Sequence, residues 1–118
     1  MAKTKYYIGD RLVRTSDRTY THAVMRGDQV IACCGRLDLA EKEVTRNRNH
    51  VQANIAFRQK CLDTLREGKT SFRHTERVGN RSFTETIRLD EPAEYYESRI
   101  NELKHQITLY HVVPLEAR

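Results

Sequence analysis

The spacing of apolar positions changes period three times along this chain, and each change marks a new element. From Lys5 to Cys34 apolar, aromatic and β-branched residues gather in four short runs: Lys5 to Ile8, Arg11 to Thr15, Thr19 to Met25 and Gln29 to Cys34. Runs of this kind bounded by turn residues predict strands. Gly9-Asp10 and Gly27-Asp28 are two-residue hairpin signals, so the runs predict a four-stranded antiparallel meander. In its register Tyr7 faces Leu12, Tyr6 faces Val13, Met25 faces Val30 and Val24 faces Ile31. Gly35 then leads into Asp38 to Glu67, a stretch without Pro or Gly. There Ala40, Val44, Val51, Ile55, Leu62 and Leu65 recur at threes, fours and sevens, the apolar stripe of one long helix. Asp38 with Glu41 is a capping pair at its start, and Gly68 supplies its stop.

After Gly68 period two returns in Thr70 to Val78 and Arg81 to Leu89, folded about Gly79-Asn80. Pairing outward from that turn sets Phe72 against Ile87, His74 against Glu85 and Glu76 against Phe83 on one face. The other face carries Arg73, Thr75, Arg77, Ser82, Thr84 and Thr86. Asp90 then serves as an N-cap, with Glu91 and Pro92 in the first turn. Tyr96, Ile100, Leu103, Ile107 and Tyr110 form a second helical stripe; Val112 and Val113 extend it to Pro114, and Leu115 to Arg118 read as a loose tail. No repeat and no low-complexity segment is legible. The expectation is an α+β protein, a small antiparallel β-sheet of hairpins with a long central helix and a C-terminal helix. It forms a single domain over 1–118: meander 4–35, long helix 38–67, hairpin 70–89 and C-terminal helix 92–111.

A helix of about thirty residues is about 45 Å long, more than a small domain is wide. The overhang predicts a partner, most simply a second copy, because two-fold dimers are the commonest oligomers; the alternative is a break in the polar run Asn47 to His50. No apolar leader follows Met1 and no stretch reaches membrane-spanning length, so a soluble, cytoplasmic chain is expected. Cys33, Cys34 and Cys61 lack metal-ligand spacing and read as buried or idle thiols.

The net charge of +5 is unevenly placed. Up to Arg88 there are 18 basic and 10 acidic residues; from Leu89 onward there are 3 basic and 6 acidic. The basic part is where an anion would bind, and 15 of the 21 basic residues are arginine, whose planar fork grips phosphate and stacks on flat rings. An arginine-rich solvated surface is the plain alternative.

The histidines His22, His50, His74, His105 and His111 show no metal spacing, and no nucleophile triad, glycine-rich phosphate loop or CxxC is present. Neither an enzyme nor a cofactor or metal is expected. Three binding candidates remain. Arg14-Thr15-Ser16 and Tyr20-Thr21-His22 put hydroxyls, an imidazole and a guanidinium around one connection, where phosphate or ribose fits as well as ordinary strand alternation does. Arg58 leaves the Asn-rich part of the helix with a fork able to cover a base. Phe83 offers a matching aromatic face, with Arg81 and Arg88 near it; plain sheet packing is its alternative.

Lys5-Tyr6-Tyr7-Ile8, Arg14-Thr15-Ser16 followed by Tyr20-Thr21-His22-Ala23, and Cys33-Cys34-Gly35 leading to Leu39-Ala40-Glu41-Lys42-Glu43 resemble phage Thoeris anti-defence proteins of the first type. The resemblance implies a sponge that sequesters, without cleaving, cyclic ADP-ribose isomers made by bacterial TIR-domain enzymes. It also implies dimers, in some members hexamers, that can hold cyclic oligonucleotides. By the same resemblance an aromatic and an arginine stack the adenine, places occupied here by Phe83 and Arg58. Arg14, Arg26, Arg36 and Arg88 are then the arginines available to the diphosphate. The acidic C-terminal helix departs from the family pattern. The competing readings are a basic protein that binds nucleic acid or inhibits a nucleic-acid enzyme, and an interaction protein whose basic face meets an acidic partner.

Overall fold

The computed structural model describes residues 3–118; Met1 and Ala2, the first residues of the predicted single domain, lie outside the described residues. Its elements are β1 (Thr4–Ile8), β2 (Arg11–Ser16), β3 (His22–Arg26), β4 (Gln29–Cys34), α1 (Leu37–Arg66), β5 (Ser71–Val78), β6 (Arg81–Arg88), α2 (Ala93–Ile107), β7 (Tyr110–Pro114) and β8 (Glu116–Ala117). The class is α+β, with hairpins, a long helix and a second helix in the predicted order. Two units divide the chain, one comprising residues up to Gln52 with His105–Arg118, the other Ala53–Lys104.

In the first unit the four N-terminal strands do not form a meander. They build two three-stranded sheets, ordered β2-β1-β8 and β4-β3-β7. β3 is hydrogen-bonded on both sides, by β4 and by β7, so it has no free edge for β2. Tyr7 pairs with Leu12 as predicted, but Tyr6 faces Arg14, because Val13 is an extra residue in a bulge. Met25 likewise pairs with Val30, whereas Val24 faces Ala32 and Ile31 is the extra residue. The two hairpins are thus one geometry used twice: Gly9 and Gly27 open their turns at φ 59° and 61°, and Tyr6–Arg14 answers Val24–Ala32. A left-handed φ at the first turn residue suits glycine and the twist of a hairpin. Beyond the shared Gly-Asp turns the repeat lies in the backbone and not in the side chains, so the bulges left no mark in the sequence.

Tyr6, Ala23, Val24 and Met25 are buried, as are Ala40, Val44 and Val51 of the α1 stripe. The Tyr6 hydroxyl donates to the Arg18 carbonyl at 2.7 Å and accepts from the Tyr20 amide at 3.2 Å, tying down the connection between β2 and β3. Tyr6→Phe keeps the ring and removes both bonds, so unfolding free energy should fall by roughly 1–3 kcal/mol, read from urea midpoints at unchanged m-value. A midpoint equal to wild type would mean that water replaces the hydroxyl.

α1 runs unbroken through Asn47–His50. The Asn47 amide donates to the Glu43 carbonyl at 2.7 Å and its carboxylate at 3.2 Å, and Arg46 pairs with that carboxylate at 2.6 Å, so polar residues brace this turn locally. Arg48 donates to the Tyr110 carbonyl at 2.7 Å.

The C-terminus is where the predicted elements change most. α2 ends at Ile107 and not at residue 111; Thr108 and Leu109 make i→i−3 backbone bonds to His105 and Gln106, tightening the last turn. Tyr110 fits the helical stripe by spacing, but Tyr110-His111-Val112-Val113 favours an extended chain and is drawn into strand β7 by the free edge of β3. The predicted loose tail is strand β8. Lys5 and Arg118 exchange backbone bonds of 3.2 and 2.8 Å, and the Arg118 guanidinium lies 4.3 Å from the centre of the Tyr7 ring.

The second unit holds the later part of α1, the β5–β6 hairpin and most of α2. Its buried residues include Ile55, Cys61, Leu62, Leu89, Tyr96, Ile100 and Leu103. Burial pushes the Cys61 thiol up, against the opposing charge of Arg58, and leaves it 1% exposed. Burial, then Glu43 and Cys33, also raise Cys34, but Cys33 and Cys34 are only half-buried. Native alkylation near neutral pH is therefore expected to reach Cys61 only on unfolding; peptide mapping of the labelled chain reads this, and early labelling of Cys61 would contradict its burial. No described helix is long and apolar enough to cross a membrane.

Candidate functional site

In the second unit, β5 and β6 pair in the predicted register without a bulge, with Phe72 opposite Ile87, His74 opposite Glu85 and Glu76 opposite Phe83. Phe72 and His74 therefore share a face, and Phe57 of α1 meets both. The Phe57 and Phe72 centroids are 6.0 Å apart at 56°, and the edge-on Phe57–His74 pair is 5.2 Å apart at 79°. The Lys60 ammonium, one helical turn beyond Phe57, lies 4.9 Å from the centre of the Phe72 ring.

Ala53, Ala56, Phe57 and Lys60 from α1, with Arg73, His74 and Thr75 from β5, bound an open trough of about 550 Å³. That volume falls in the range that small-molecule sites occupy. The two alanines keep its floor low, the rings give flat apolar surface, and Lys60 and Arg73 supply positive charge at the rim. His74 Nε2 stands 3.5 Å from the Glu76 carboxylate, so a carboxylate is within reach when the ring is protonated. The arrangement suits a planar ring carrying phosphate. Among the described residues no group of three His, Cys, Asp or Glu side chains has a metal-binding arrangement.

The residues singled out by sequence lie elsewhere. In the first unit, Arg14 covers the Tyr20 ring at 4.8 Å, and His22 Nδ1 is 2.8 Å from the Thr21 hydroxyl. Arg26 donates to Gln29 Oε1 at 2.7 Å, and Arg36 pairs with Asp38 at 3.2 Å. In the second unit, Arg58 lies close enough to Cys61 and Tyr96 to act on both electrostatically, though burial is the main cause that raises the Tyr96 hydroxyl. Phe83 is 56% exposed. Arg88 bounds a shallow cleft of about 470 Å³ with Thr70, Ser71, Thr86, Leu89 and Asp90. None of these predicted residues lines the Phe57 trough, and no cation–π contact joins Arg58 to Phe83 among the described residues.

Phe57, Lys60, Phe72, Arg73 and His74 were missed as a group. Phe72 and His74 were placed on one face by the hairpin register, but Phe57 belongs to no strand and sits off the α1 stripe. A large aromatic beside a helix's core stripe needs a partner of its own, and that was the available signal. No protein-family model, no curated protein and no solved structure matches this chain.

Proposed function

We propose that the chain binds a cyclic nucleotide signal of the cyclic ADP-ribose class and sequesters it intact, so blunting a bacterial anti-phage defence in the host cytoplasm. The observation that carries this reading is the Phe57–Phe72–His74 ring cluster with Lys60 and Arg73 at its rim. Rings accept a purine by stacking and edge contact, while an ammonium and a guanidinium meet phosphate oxygens. The resemblance of the N-terminal segments to Thoeris anti-defence proteins narrows the ligand to a cyclic immune signal. In this reading the protein is not an enzyme and works as a homo-oligomer, a dimer or hexamer.

The test is incubation with a panel of cyclic ADP-ribose isomers and cyclic di- and trinucleotides, followed by heat release, chromatography and mass spectrometry. Intact ligand recovered in stoichiometric amount is the expected result. A cleaved product would make the protein an enzyme, and no uptake of any panel member would end the signal-binding reading. Light scattering of the same samples checks the oligomer.

A further inference from the structure

The geometry points to a second binding surface, which meets the trough at Arg73 and Thr75: the face of the β5–β6 ribbon carrying Arg73, Arg77 and Arg88 docks in the major groove of duplex DNA. The register sets the two faces of this ribbon apart in chemistry. Phe72, His74, Glu76, Phe83, Glu85 and Ile87 share one face. The opposite face holds the three arginines and five hydroxyl residues, all exposed, with neither a carboxylate nor an apolar side chain among them. The Thr75 and Thr84 hydroxyls, 2.9 Å apart, tie the strands across its middle. Among the described residues no salt bridge occupies Arg73, Arg77 or Arg88.

Spacing selects the class of partner. Arg77 is four residues along β5 from Arg73, and Arg88 faces Ser71, two residues the other way. At about 3.3 Å per residue the backbone positions of the three arginines are set along roughly 20 Å, farther than one small nucleotide extends. An extended polyanion can meet all three. The major groove of B-form DNA, about 12 Å wide, admits a two-stranded ribbon, whereas the deep, narrow major groove of A-form RNA does not. Single strands are bound on aromatic platforms, and this face has no aromatic. Arginine and hydroxyl side chains are also the groups that contact phosphates and base edges.

The test is fluorescence anisotropy of a labelled short duplex DNA against the full chain over a range of salt concentrations, with the same sequence as duplex RNA and with polyglutamate as competitors. Arg73 stays unaltered, because it also bounds the Phe57 trough. In R77Q/R88Q the slope of log affinity against log salt should shrink by about 2, close to 0.9 for each phosphate left without its arginine. R77K/R88K should restore most of that slope. Absence of DNA binding by the wild-type chain, an unaltered slope in R77Q/R88Q, or competition by duplex RNA or polyglutamate equal to that by DNA would each overturn the proposal. R77Q/R88Q leaves every residue that lines the trough in place, so loss of the signal-binding reading leaves this result standing.

Discussion

Phe57→Ala is expected to weaken cyclic nucleotide binding by roughly 10- to 100-fold, in line with the ~1–3 kcal/mol that one aromatic contributes when a base stacks on it. Phe57 is the hub of the ring cluster, 6.0 Å from Phe72 and 5.2 Å from His74, so its removal takes away one wall and releases the other two rings. The position is half-buried and off the core stripe, so the folded state should persist with a smaller change in stability than a core truncation gives. Titration calorimetry with the best panel ligand, beside a far-UV spectrum, separates the two effects. Lys60→Gln is the companion variant: it leaves the rings and removes an ammonium, so its loss should diminish as salt rises while that of Phe57→Ala should not. Unaltered affinity in both variants would place the ligand elsewhere, most simply at Arg58 and Phe83.

Leu62→Ala should lower stability by about 2–5 kcal/mol, a large part of what a domain of this size has. Leu62 is 3% exposed, and Ile100 of α2, at 4%, bounds the same small cleft. Truncation leaves a cavity between side chains whose positions are fixed by two helices, so little relaxation can fill it. Thermal unfolding followed by circular dichroism should show a midpoint lower by on the order of 10 °C or more. A shift of only a degree or two would mean that this part of α1 is not packed as described.

Element identity was legible wherever one period ran cleanly between two punctuating residues. The long helix begins and ends within a residue of its predicted bounds, because its stripe is continuous and Gly68, at φ 81°, is a position where other residues are strained. The three two-residue turns were legible for a similar reason. Register beyond a turn was legible only for β5–β6, since a bulge after Leu12 or after Val30 changes no residue type and declares itself only in the ladder.

What the sequence determined by itself was local: hairpins at Gly9, Gly27 and Gly79, two amphipathic helices, and a basic chain up to Arg88 with an acidic end. Tertiary structure decided everything that depends on a free edge or a facing ring. β3 had an edge to offer, and that turned the end of a helical stripe into β7; β1 had another, and the tail became β8. The trough follows the same logic. Phe57, Phe72 and His74 are separated by a helix end and a turn in the chain, and no spacing rule reaches across such a gap. Only the packing of β5 on α1 brings the Phe57 ring within 6.0 Å of Phe72 and 5.2 Å of His74, whose own rings are 6.5 Å apart.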